Sequence, residues 1–167
     1  MPTTPPPTGA RKDTPLPRTG SDERAVLVGF LDHLRAAVAA KAEDVPEPEV
    51  RTPGVPSGTT LLGLVKHLTA VERFWLLGED LTDWEATLYP DPDETVDGLL
   101  SAYRSAAAEA DAAISTWDDL TLPGPRPVRQ GTAPSRRWTL VHMIEETGRH
   151  AGHADIVREG LDGAIGR

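Results

Sequence analysis

The chain contains no cysteine among its 167 residues. Disulfide bonds, thiolate metal sites and a catalytic thiol supplied by the protein itself are therefore excluded. Any thiol chemistry that this protein performs must use a sulfur atom brought by another molecule.

Basic clusters and long apolar runs are also missing. Asp and Glu number 26 against 17 Lys and Arg, which gives a net charge of −9. An acidic chain without a Lys/Arg cluster disfavours nucleic acid and anionic membrane surfaces as partners. No window approaches the length of apolar sequence that a transmembrane helix needs, and the first residues have no apolar signal-peptide core. We expect a cytoplasmic protein that acts on a small molecule.

Residues 1–20 differ in composition from the rest, with six prolines and almost no large apolar side chains. Such a segment buries too little surface to offset the entropy of ordering it. We expect a loose or surface-draped tail, followed by one domain over residues 21–167. A proline-rich docking motif is the functional alternative for this tail.

Four segments of the domain repeat apolar residues at helical spacing. The first begins near Ser21 and ends by Asp44, the second spans about 59–77 with Ser57 or Thr59 as its cap, the third runs from Asp93 or Thr95 to about Trp117, and the fourth is capped by Ser135. No alternating apolar and polar segment predicts a strand. The sequence therefore predicts an all-α fold, a four-helix bundle with long loops.

The fourth segment carries an unusual stripe of polar residues. At about 100° per residue, the side chains of His142, Glu146, His150 and His153 point within roughly 80° of one another. Glu146 and His150 lie at the edge of the apolar face, where an unpaired charge is costly. A metal ion is the simplest partner for both.

Three residues outside this segment also bear on the site. Two of them have alternative roles, and the third is expected in solvent. His67 falls within the apolar face of the second helix and is either a hydrogen-bonded core histidine or a ligand. Glu72 is expected on the far side of that helix, in contact with solvent. Trp84, in the acidic loop 78–92, either covers a cleft or anchors the loop to the bundle.

Two stretches resemble a known family. The segment Gly54-Val-Pro-Ser-Gly-Thr-Thr-Leu-Leu-Gly-Leu-Val-Lys-His67-Leu-Thr-Ala-Val-Glu72-Arg-Phe-Trp75 is similar to the second helix of the DinB-like superfamily, in particular of its actinobacterial branch. The stretch from Arg137 through His142 to His150-Ala-Gly-His153-Ala-Asp155 is similar to the last helix of that branch. The resemblance implies a bundle with a three-ligand metal site. Carried onto this sequence, the ligands are His67, Glu146 and His150, with His142 as the alternative and His153 lining the pocket or orienting a ligand.

The resemblance also implies an activity. Members of the superfamily, such as mycothiol-dependent maleylpyruvate isomerase and bacillithiol transferase, use a low-molecular-weight thiol. We expect a divalent metal, zinc by default and otherwise nickel, iron or manganese, and mycothiol as the cosubstrate for S-transfer or addition to a small electrophile. Trp75 and Arg149 are candidates for contacts with the other substrate.

Two other functions stay open at this stage. A metal-dependent hydrolase would use a metal-activated water and need a general base, for which His142 or His153 would have to serve because Glu145 points away. A metal-binding or stress-associated module without catalysis is the other alternative. By analogy with the superfamily, a homodimer is expected.

Overall fold

The computed structural model describes residues 15–128 and 131–164, and these residues form α-helices, short 3₁₀ turns and loops without any β-strand. The helices are α1 (Glu23–Ala42), α2 (Leu61–Leu77), α3 (Val96–Ser115) and α4 (Arg136–Asp162). The predicted all-α, four-helix architecture is confirmed.

Each helix begins at a side chain that caps its first turn. The hydroxyl of Ser135 accepts a hydrogen bond from the amide of Trp138, as predicted, and Thr95 caps α3 in the same way. The other two caps lie one residue from the predicted positions, because Asp22 caps α1 and Thr60 caps α2. Local sequence thus identifies a cluster of capping residues more reliably than the member that acts.

The helices pack so that α1 lies mainly against α4 and α2 mainly against α3, while α2 and α4 also face each other. The core between them consists of fully buried apolar side chains, among them Leu31, Leu64, Leu68, Leu140 and Met143. Facing helices of such a bundle can build a site from inward-pointing side chains. The contact between α2 and α4 is the one that assembles the candidate site.

The prediction for Glu72 is wrong. Its side chain is fully buried and accepts hydrogen bonds of 2.8 and 2.6 Å from the Nε and Nη2 atoms of Arg35 on α1. Arg35 also binds the partly exposed carboxylates of Asp32 and Asp111, each at 2.7 Å. Because α2 is packed by three other helices, its far side faces α1 and α3 rather than water, and the buried charge is stabilised by pairing.

The N-terminal tail can be followed from residue 15 onwards. Pro17 and Thr19 lie close to Gly29 of α1, where a Cβ atom would come within 2.9 Å of the Thr19 methyl group. This part of the tail is draped over the bundle, as expected. Residues 1–14, where a docking motif would mostly lie, are outside the described residues, and the domain boundary stays a prediction.

Among the helices that the structure describes, none combines the length and the apolar character needed to cross a membrane.

Candidate metal centre

The candidate site lies where α2 faces α4. His67 comes from α2, and Glu146 and His150 come from α4, one helical turn apart. One possible ligand atom from each of the three side chains lies within 4.8 Å of the others. All three side chains are 12–14% exposed, so the group is largely but not fully shielded from solvent. The structure therefore brings together the three residues that the resemblance implied as ligands.

This spacing is close to that of a coordinated ion. Two ligands that each lie about 2.1 Å from one metal are at most about 4.2 Å apart. The observed group needs only small side-chain rotations to reach that separation. Two imidazoles and one carboxylate are a donor set suited to divalent first-row metals, and three protein ligands leave a coordination position for a substrate. The residues present fit a divalent metal.

The hydrogen bond on the other nitrogen of His67 fixes its tautomer. The Nδ1 atom lies 2.8 Å from the hydroxyl oxygen of Thr87, and that hydroxyl donates its own proton to the carbonyl of Trp84 at 2.6 Å. Thr87 can therefore only accept from His67, so Nδ1 carries a proton. In a neutral imidazole this leaves the lone pair on Nε2, the atom that lies 3.7 Å from Oε1 of Glu146. A metal-ligating histidine commonly has such a partner on its other nitrogen.

Thr87 is held in place by a close approach between its loop and α2. It belongs to a single 3₁₀ turn, Ala86–Leu88, which packs on the start of α2. A Cβ atom on Gly63 would lie 2.3 Å from the carbonyl oxygen of Leu88. A side chain at position 63 would therefore push this turn, and Thr87 with it, away from His67.

The carboxylate of Glu146 is oriented from both sides. Its Oε1 lies 3.1 Å from Nε2 of His150, and its Oε2 pairs with the guanidinium of Arg149. The hydrogen bond with His150 is the largest cause that lowers the pKa of Glu146 far below its ordinary value, although partial burial opposes the shift. The shift favours the anionic form of Glu146, whose Oε1 lies near both imidazoles.

The second nitrogen of His150 also has a neighbour. Its Nδ1 atom lies 3.4 Å from Nδ1 of His153, one turn further along α4. His153 is exposed to solvent. It stands beside the three-residue group, and its role in lining the site or orienting a ligand stays a prediction.

His142 is placed elsewhere. Its ring stacks on Trp138 at a centroid distance of 5.0 Å and meets the edge of Trp75 at 4.8 Å. Its Nδ1 atom lies 3.7 Å from a carboxylate oxygen of Glu145, and it does not join the three-residue group. The structure therefore brings His142 into an aromatic cluster with Trp75 and Trp138 rather than to the candidate metal position.

Trp84 anchors its loop to the bundle, one of the two roles considered for it, and it also lies beside the candidate site. Its ring packs edge-on against Phe74 of α2 at 5.1 Å, which anchors the loop. It also contacts the ring of His67 at 6.0 Å, beside the candidate site. Phe74 is covered on another side by the guanidinium of Arg126, 4.9 Å from the ring centroid. The two long loops are thereby both attached to Phe74, in the C-terminal half of α2.

Thr87 is the residue of this site that the sequence did not single out. It lies in a loop whose apolar spacing predicts nothing, and its partner His67 precedes it by 20 residues. Arg149 was considered as a substrate contact, but its guanidinium pairs with both Glu145 and Glu146. A threonine between two apolar residues, three positions after Trp84, is the available signal for the loop contact.

The fold and the site together define a class of protein: helical bundles in which two histidines and a glutamate on facing helices come close enough to hold a metal ion. Within this class, residues 26–163 match the model of the mycothiol-S-transferase family, a member of the DinB-like superfamily, and the chain belongs to that family. No curated protein and no solved structure matches the chain. The family match confirms the resemblance and associates the chain with mycothiol-related transferases.

Proposed function

We propose that this protein is a divalent-metal-dependent transferase that joins the sulfur of mycothiol, or of a closely similar thiol, to a small electrophile. The observation that carries the proposal is the convergence of His67, Glu146 and His150 from two helices, in a mycothiol-S-transferase family member without a cysteine. The sulfur must come from the cosubstrate, and the three side chains supply the place to hold a metal next to it.

The metal site would consist of Nε2 of His67, a carboxylate oxygen of Glu146 and an imidazole nitrogen of His150. Zinc is the first expectation, and nickel, iron and manganese accept the same ligand types. When bound, such a cation lowers the pKa of a thiol at its open position and so supplies a nucleophile at neutral pH.

The protein's own residues prepare this chemistry. Thr87 keeps the lone pair of His67 on the nitrogen that faces the site. Arg149 holds one oxygen of Glu146 and leaves the other directed at the imidazoles. We assign Arg149 this positioning role in preference to a substrate contact, because its guanidinium is already paired with two carboxylates.

In the transfer step the thiol loses its proton, a sulfur–carbon bond forms, and the leaving group departs with the electron pair of its bond to carbon. His153 is the side chain we assign to accept the proton, since it is exposed and adjoins His150. In an addition reaction the same sulfur–carbon bond forms and the proton is returned to the product, so no leaving group is needed.

The sequence made Trp75 a candidate for contact with the electrophile, and we now assign it to the thiol cosubstrate instead. Its ring packs against those of Trp138 and His142 where α2 meets α4, and Trp138 exposes 40% of its surface. Partly exposed aromatic rings beside a polar site offer contact area at a low cost in conformational entropy.

The test measures turnover of an electrophile with and without mycothiol, using metal-loaded protein and mass spectrometry of the product. The proposal expects a thioether product that requires both thiol and metal, and that is lost in His67→Ala and retained in His33→Ala, a histidine of α1 outside the group. Turnover in water without thiol would support a hydrolase instead. Metal binding without turnover of any of a range of electrophiles would reject the transferase function and support a non-catalytic metal-binding module.

A further inference from the structure

A pocket of about 330 Å³ opens beside the candidate metal centre, between the loop that precedes α2 and the second half of α4. We call it the side pocket, and it is lined by Val55, Ser57, Thr59, His153, Ile156 and Val157. His153 connects the two features, because its Nδ1 atom lies 3.4 Å from that of His150. A molecule in the side pocket would therefore be separated from the candidate metal ligand His150 only by the side chain of His153.

The lining of the side pocket is apolar with three polar groups and no Lys, Arg, Asp or Glu. The hydroxyls of Ser57 and Thr59 lie 3.1 Å apart and can hydrogen-bond a ligand. Ile156 exposes 63% of its surface at the rim. Apolar walls with a few convergent polar groups are typical of small-molecule sites, and this volume is at the lower end of their range.

Four charged side chains at this end of the bundle are paired with one another. Arg158 binds Asp162 at 2.7 Å and the carbonyl oxygens of Lys41 and Glu43, and Lys41 pairs with Asp155. A carboxylate that entered the side pocket would leave water and meet no Lys or Arg among the lining residues, only the imidazole of His153. The net charge of −9 adds a repulsion at longer range.

We propose that the side pocket binds the electrophilic substrate and selects neutral, apolar molecules over carboxylates. That the bound molecule is a substrate rests on the proposed thiol-transferase function. The selectivity itself follows from the lining residues alone, so it can be measured without thiol, metal or turnover.

The first experiment measures binding to the full-length protein by amide chemical shifts in NMR. The probes are meta-dinitrobenzene, which is neutral and has no leaving group, and dinitrobenzoate, which has the same ring with a carboxylate. We expect saturable shifts confined to residues 55–59 and 153–157 with the neutral probe, and binding weaker by about tenfold or more with the carboxylate. Equal binding of the two probes, or shifts elsewhere, would overturn the assignment.

A charge placed at the rim should reverse the selectivity. In Ile156→Arg we expect the neutral probe to bind more weakly and the carboxylate to bind more tightly than in the wild-type protein. Val141→Arg is the matched control, because Val141 is also an exposed aliphatic residue of α4, with 50% of its surface accessible, and does not line the pocket. An unchanged ratio of affinities in a folded Ile156→Arg protein would contradict the proposal.

The two proposals fail separately. Thiol-dependent turnover combined with probe shifts outside the side pocket would overturn the pocket and leave the transferase function intact. Selective binding of the neutral probe supports the pocket even where the turnover assay fails and the transferase function is rejected.

Discussion

Replacing Thr87 by valine removes the hydroxyl that accepts the Nδ1 proton of His67 but keeps the shape of the side chain. The 2.8 Å contact is lost, and the imidazole becomes free to rotate or to change tautomer, which would put a proton on the nitrogen that faces Glu146. Loss of such a partner typically weakens metal affinity by about 10- to 100-fold, equivalent to roughly 1.4–2.7 kcal/mol.

A competition titration measures this effect, with zinc distributed between the protein and a chromogenic chelator of known affinity. Thr87→Ser should retain most of the wild-type affinity because it keeps the hydroxyl. Thr69→Val is the matched control, since Thr69 binds only the carbonyl of Val65 within its own helix. A folded Thr87→Val protein that binds zinc as tightly as the wild type would refute the assigned role of this hydrogen bond.

Three further outcomes are expected. Glu72→Ala should lower the free energy of unfolding by about 3–5 kcal/mol, because it leaves the buried guanidinium of Arg35 without its main partner. Glu79→Ala, at an exposed pair, should lower it by less than about 1 kcal/mol. Chemical denaturation compares the two variants, and equal losses would contradict the burial argument. Gly63→Ala should weaken zinc binding in the same competition titration, because the added Cβ displaces the turn that carries Thr87. In Gly152→Ala the added Cβ meets no atom within 4 Å, so zinc affinity should be unchanged. Identical affinities of the two variants would show that the position of the turn does not depend on the close contact between Gly63 and Leu88. Zinc at about 100 times its dissociation constant should stabilise the wild-type protein by about 2.7 kcal/mol in thermal unfolding and have no such effect on His67→Ala; equal stabilisation of both would place the zinc elsewhere.

Features set by neighbouring residues could be predicted from the sequence. Ser135 caps α4 through an amide three residues away, and Glu146 and His150 share a face because they are one turn apart. The position of His67 within an apolar face placed it toward the interior. Its meeting with Glu146 and His150 required the family resemblance, because helical periodicity does not say which faces of two helices meet.

Features set by contacts between distant segments could not be predicted. Glu72 was expected in solvent because its burial depends on Arg35, 37 residues earlier in the chain. Thr87 was not singled out, because its role depends on how the loop folds back on α2. His142 shared the stripe of the ligands, yet Trp75 and Trp138 enclose it two turns from His150. Residues that share one face of a helix therefore do not all belong to a site that is completed by a second helix.

The most direct test of the account is the metal content of the purified, untagged protein, measured by plasma mass spectrometry beside His67→Ala and the control His33→Ala. The account predicts about one divalent metal ion per chain in the wild type and in His33→Ala. It predicts none in His67→Ala. Protein that stays free of metal after incubation with zinc, nickel, iron and manganese, or a His67→Ala variant with full metal content, would contradict the claim that His67, Glu146 and His150 form a metal centre.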